Sequence, residues 1–195
     1  GDWALAYHMH RLLNEQAALK GWHLNFYLVD GQRTYFHPEL VDQLNAEADL
    51  VIIGGGGNLF HRPEDHSQSG WMLNISLTEL DRVKKPIVVY GIGYNRFPFD
   101  PNEFPAITSR HLLYLQEKAR LFSARNHGSK KIMVEQFGLI PNKIDVIPDA
   151  GICLYDRHIE IPALNKKGPV IALNWAGDRP SFRYPEPAEQ HMQHS

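Results

Sequence analysis

The chain has 195 residues, 43% of them hydrophobic and 22% charged, the make-up of an ordinary globular protein rather than a disordered, collagen-like or coiled-coil chain. Twenty basic against 22 acidic residues leave a net charge of −2, so any anion site must be local. No apolar run approaches the ~18 residues that span a bilayer. The single cysteine, Cys153, excludes an internal disulfide and a cysteine-based zinc site. It fits a reducing compartment, and a cytoplasmic location is expected. The chain opens at Gly1-Asp2 in what reads as a loop, with no initiator Met, so a first strand is expected upstream.

Apolar side chains at Leu5, Met9, Leu12, Leu13 and Ala17 follow a helical period over residues 3–20, and Gly21 is the stop. Residues 23–29 form a short aromatic-rich run closed by Asp30-Gly31, a predicted strand and turn. A helix is expected over 38–47, with Pro38 in its first turn. Residues 49–53 run from Asp49 through Leu50 into β-branched Val51, Ile52 and Ile53, the pattern of a strand buried on both faces in a parallel sheet. The alternation repeats: helix 67–84, then strand 86–90 ending at Gly91. A loop with three prolines covers 97–105, followed by helix 106–119 and strand 121–124. A helix capped by Asn126 or Ser129 then runs to Phe137, with Gly138 as its stop, ahead of a strand over 143–147. This order predicts an α/β fold, a doubly wound, mainly parallel Rossmann-like sheet over residues 1–154. Residues 155–168 read as a linker. Residues 169–195, beginning with a buried strand at 169–175, read as the start of a second α/β lobe.

Open α/β sheets bind ligands beyond the carboxyl ends of their strands, and four such ends stand out. Gly54-Gly55-Gly56-Gly57-Asn58 follows Val51-Ile52-Ile53. Glycines there let backbone N–H groups approach a phosphate or sugar, or simply make a tight turn under a closely packed helix. The run is no dinucleotide fingerprint, because its third glycine position holds Leu59 or Phe60, and no Gly-Lys-Ser/Thr follows for a P-loop. Gly91-Ile92-Gly93 leads to Arg96, which either forks a carboxylate or phosphate or is solvated. Arg125 emerges from a short strand just ahead of a helix start, a poor place for a cation unless it faces an anion. Asp149, in Pro148-Asp149-Ala150-Gly151, either turns the chain or contacts a ligand hydroxyl.

The 11 histidines include no His-Glu-x-x-His pattern and no cluster at ligand spacing, so no metal is expected. His66 and His127 lie nearest the glycine and arginine ends. Trp22 and Trp71 read as core residues. No Gly-x-Ser-x-Gly elbow is present, and Cys153 reads as a small core residue.

The motifs stand in an ordered series: Gly1-Asp2, the Ala48-to-Phe60 segment with its four glycines, Lys85-to-Gly93, Phe122-Ser123-Ala124-Arg125 with Ser129, and Ile147-Pro148-Asp149. Together, from residue 1 to about Leu154, they resemble the polysaccharide pyruvyl transferase family. The resemblance implies two Rossmann-like lobes, similar to the GT-B glycosyltransferases, with the active site in the cleft between them. It implies transfer of pyruvate from phosphoenolpyruvate, as co-substrate and without a cofactor, to sugar hydroxyls in building bacterial surface polysaccharides. Arg125 matches the family's first-lobe arginine facing the donor's anionic groups, and Asp149 is the candidate for a hydroxyl contact. Asp2, Gly55, Gly56, Gly57, Asn58, Gly93 and Arg96 would line the substrate cleft. The family's second lobe supplies an Arg and a His close together. The tail here holds no Arg-x-His, so this chain alone is expected to be an incomplete enzyme. A GT-B-like glycosyltransferase and a non-catalytic carbohydrate-binding relative are the alternatives.

Overall fold

A computed structural model of the protein describes residues 2–31 and 33–152, with side chains from Leu5 onward apart from that of Asp65. In chain order the elements are α1 (Asp2–Ala18), α2 (Pro38–Glu47), β1 (Val51–Gly54), α3 (Leu77–Arg82), β2 (Ile87–Ile92), α4 (Ala106–Lys118), β3 (Leu121–Ala124), α5 (His127–Phe137) and β4 (Asp145–Val146). They belong to one compact unit, residues 1–96 and 102–154. The expected linker at 155–168 and the strand at 169–175 lie outside the described residues, as does Cys153.

The four strands form an all-parallel sheet in the order β1-β2-β3-β4, each step crossing over through a helix. This is the α/β, Rossmann-like architecture that the alternating pattern predicts. Val51 pairs with Ile87, Val88 with Leu121, and Ser123 with Asp145. Ile87, Val89 and Ile92 of β2 are buried, and so are Leu80, Leu112, Leu115, Met133 and Phe137 from the covering helices. Each large apolar side chain removed from water contributes roughly 1.5–3 kcal/mol, so this burial is what holds the sheet, although β1 is half-buried along its length rather than buried on both faces as expected.

Local chemistry sets the helix ends. The Asn126 side chain accepts from the Ser129 N–H at 2.7 Å, which decides between the two caps the sequence offered. At the far end Gly138 has a φ of +76°, its N–H bonds the Val134 carbonyl, and the Leu139 N–H bonds that of Met133. That is the double closure of a glycine-stopped helix.

Several expectations differ from the structure. Asp2 opens α1 rather than lying in a loop. Residues 23–29 form no strand, because no described strand lies alongside to complete a ladder, and Tyr27 and Leu28 stand exposed. Trp22 is likewise 66% exposed rather than core, whereas Trp71 is fully buried. The helix expected over 67–84 shrinks to α3. Upstream of it the Ser67 hydroxyl donates to the Trp71 carbonyl and the Ser69 hydroxyl to that of Leu73, each at 2.5 Å, while Gly70 takes a φ of +76°. Side-chain-to-backbone bonds therefore replace the helical ladder there. The strand expected over 143–147 is reduced to β4, since Pro141–Lys143 turns as a short 3-10 helix.

One buried polar pair ties this irregular segment to α4. The Trp71 indole N–H donates to Nδ1 of the fully buried His111 at 3.0 Å. Burial pushes the His111 pKa down to about 4, opposed in part by the Ile75 backbone. His111 therefore stays neutral in the fold but titrates near its ordinary value once unfolded. Stability from this site is present above about pH 6.5 and is lost as pH falls toward 4. The loss should reach about 2 kcal/mol at pH 5. Urea unfolding at pH 7.5 and pH 5 checks this: the wild type should weaken by about that much more than His111→Gln.

Candidate functional site

The strand ends converge because hydrogen bonding continues past the strands themselves. The Gly55 N–H bonds the Tyr90 carbonyl and the Gly93 N–H that of Gly56, both at 2.8 Å; the Leu59 N–H then bonds Gly93 and the Asn95 N–H bonds Leu59. The glycine run and the 91–95 loop thus run side by side as far as the Leu59–Tyr94 bridge. Arg125 joins them through its N–H to the Ile92 carbonyl at 3.0 Å. Ile147 bonds Ala124 in the same way and carries Asp149 to this edge. Ser123 locks the junction: its hydroxyl accepts from the Gly91 N–H at 2.8 Å and donates to the Val89 carbonyl at 3.0 Å.

Each of the four glycines meets something close. A Cβ on Gly54 would stand 2.7 Å from the Tyr90 carbonyl oxygen, and one on Gly57 would stand 2.7 Å from the Asn95 amide nitrogen. Gly55 and Gly56 have φ values of +79° and +71°, and a Cβ on Gly56 would sit 3.0 Å from Leu5 of α1. Leu5 also lies close over Gly151. Packing and backbone geometry thus give every glycine of the run a structural reason. The same contacts bring the start of α1, and with it Asp2, to the carboxyl edge of the sheet; the Asp2 side chain lies outside the described residues.

Arg125 is the group on this edge that packing does not explain. It is half-buried, its guanidinium lies directly over Gly93, and Nη2 donates to the Tyr94 carbonyl at 3.4 Å. Nε is buried without a partner, and no carboxylate among the described residues reaches the group. The adjoining start of α5 presents N–H groups, which repel a cation. A buried donor and an uncompensated charge in that position are suited to an incoming anion.

The other candidates are more occupied. Asp149 Oδ1 accepts from the Gly151 N–H at 2.9 Å, the chain-turning role the sequence allowed. The Asn58 amide donates to the Gly54 carbonyl at 3.3 Å, closing the glycine turn. Arg96 is half-buried at the end of the 91–95 loop. His127 is exposed as the first residue of α5, and His66 is exposed with a φ of +46°. Among the described residues no three His, Cys, Asp or Glu side chains are grouped to hold a metal ion.

Sequence reasoning gave Leu5 only a place in a helical period and Ser129 only a capping or motif place, and did not weigh Asn95; the Ser129 hydroxyl accepts from the Tyr94 N–H at 3.1 Å. Nothing in their types marks them, since their roles depend on neighbours distant in sequence. Arg62, five residues past the last glycine of the run, was passed over. Gly93 supplies the direct check of the geometry. Any Cβ there overlaps the guanidinium, so Gly93→Ala should displace Arg125 and weaken anion binding at least tenfold, at a cost of about 1–3 kcal/mol in stability. Calorimetric titration and thermal melts of the variant measure both.

No curated protein and no solved structure matches the chain significantly. The family model for polysaccharide pyruvyl transferase matches residues 3–194. That span takes in every strand end described above, and the chain belongs to the polysaccharide pyruvyl transferase family.

Proposed function

We propose that the protein transfers the pyruvyl group of phosphoenolpyruvate to sugar hydroxyls in polysaccharide biosynthesis, in the cytoplasm, and that the carboxyl edge of the sheet binds the donor. The observation carrying this reading is the half-buried Arg125, which has no counter-charge among the described residues. Family membership supports the transferase class.

The chemistry sets what such a site must do. A sugar hydroxyl adds to C2 of the enolpyruvyl group while a proton is delivered to its methylene carbon, which becomes a methyl. A second hydroxyl then displaces phosphate from C2, closing the ketal. The standing charge of the carboxylate and the charge developing on the departing phosphate require fixed cations and oriented N–H donors. Arg125 fills the cation role. The backbone of Gly55, Gly56, Gly57 and Gly93, with Asn58, Arg96 and Asp2, lines the same edge for the substrates. Asp149, held by its own turn, is assigned a hydroxyl contact.

A charge-assisted, forked arginine–anion contact is worth roughly 1.5–3 kcal/mol. Arg125→Ala in the full chain should therefore lower donor affinity about 10- to 150-fold with the fold intact. The assay is phosphate release from phosphoenolpyruvate with nucleotide- and lipid-linked sugars, paired with donor titration. Release by the wild type and its loss in the variant support the reading. Sugar binding that Arg125→Ala leaves unchanged, with no phosphate released, would point to a non-catalytic carbohydrate-binding relative.

A further inference from the structure

Arg62 repeats, in the segment that follows β1, two strands from the β3 end that carries Arg125, the condition that singles out Arg125. It follows the glycine run by way of Leu59, which bridges Tyr94, the residue whose carbonyl accepts from Arg125. Arg62 is half-buried, and its Nε is enclosed without a hydrogen-bond acceptor. No described carboxylate lies within ion-pair distance of it, whereas Arg82 is paired with Asp42 and Glu79. Its guanidinium is not adrift in solvent, because it stands 5.3 Å from the centroid of the buried Phe60 ring, in cation–π range. The adjacent His61 has a buried Nδ1 that is also without a partner among the described residues, and its ring packs against Phe104, itself tilted against Tyr94.

A solvated surface arginine has its donors in water and its stem free. A structural one has a carboxylate or carbonyl. Arg62 matches neither in full: its guanidinium is held at a ring, and its Nε is shut off from water. Enclosed donors left unsatisfied cost stability unless something occupies them at work. Fixing the guanidinium in advance also reduces the ordering cost when an anion arrives.

We infer that Arg62 forms a second anion subsite on the carboxyl edge and takes the phosphate group of the donor, leaving Arg125 the carboxylate. This rests on the pyruvyl transferase reading for the identity of the donor, but the phosphate preference is testable without it. Calorimetric titration of the full chain with phosphoenolpyruvate, inorganic phosphate and pyruvate separates the two.

Arg62→Met leaves an unbranched apolar side chain next to Phe60 and removes the charge. It should weaken phosphoenolpyruvate and inorganic phosphate at least tenfold while changing pyruvate affinity less than twofold. Arg62→Lys, which keeps the charge without the planar fork, should lose less than Arg62→Met. If Arg62→Met binds phosphate and phosphoenolpyruvate within twofold of wild type, the inference is overturned while the donor reading stands. If the wild type binds inorganic phosphate through Arg62 but not phosphoenolpyruvate, the subsite is supported and the donor reading fails. A wild type that binds neither overturns both. A thermal melt of each variant, expected within a few degrees of wild type, shows that the fold survives.

Discussion

The close pairing of the first two strand-end loops underlies everything else on this face of the molecule. Parallel strands leave their carboxyl ends on one edge, but they ordinarily diverge there. Here the N–H groups of Gly55 and Gly93 carry the ladder onward to Tyr90 and Gly56. The approach is tight enough that a methyl group on Gly54 or Gly57 would meet a carbonyl or an amide inside contact distance. Because the two loops are locked together, Gly93 presents a flat backbone surface, and Arg125 lies on it with its charge at the edge of the sheet. A side chain at position 93 would remove that seat.

This arrangement has an energetic cost that packing elsewhere offsets. The sheet is covered by fully buried aliphatic residues, and the Asn126 and Gly138 ends fix α5 without help from the site. Against that background, Arg125 and Arg62 each enclose a donor that the described protein leaves unmatched. Two guanidinium groups held in this state near one sheet edge suit a substrate with two anionic groups better than one with a single charge. Phosphoenolpyruvate has a carboxylate and a phosphate.

Much of the fold was legible because it rests on local periodicity. The β-branched runs at 51–53 and 87–89 and the Asn126 and Gly138 ends all carry their signals within a few residues. The failures share a cause, which is dependence on partners distant in sequence. Residues 23–29 have the composition of a strand but no described neighbour to bond with, so composition alone misleads. Residues 67–76 have helical-looking spacing, yet the Ser67 and Ser69 hydroxyls capture backbone carbonyls and bend the chain instead. At the site, Arg125 was legible because an arginine before a helix start is an electrostatic mismatch. The purpose of the glycines was only half legible: the sequence marks close approach but not that Leu5, Asn95 and Tyr90 are what approach. Arg62 carries no local signal, since its meaning comes from the enclosure of its Nε and the lack of a carboxylate partner among the described residues.

The central claim is that the donor sits on the carboxyl edge of the sheet, and a crystal structure of the full chain with phosphoenolpyruvate tests it most directly. The account predicts donor oxygens about 3 Å from the Arg125 guanidinium, above Gly93. Donor bound elsewhere, such as the groove between α3 and α4 beside Asp81, Arg110 and Lys143, with nothing on Arg125, would contradict it.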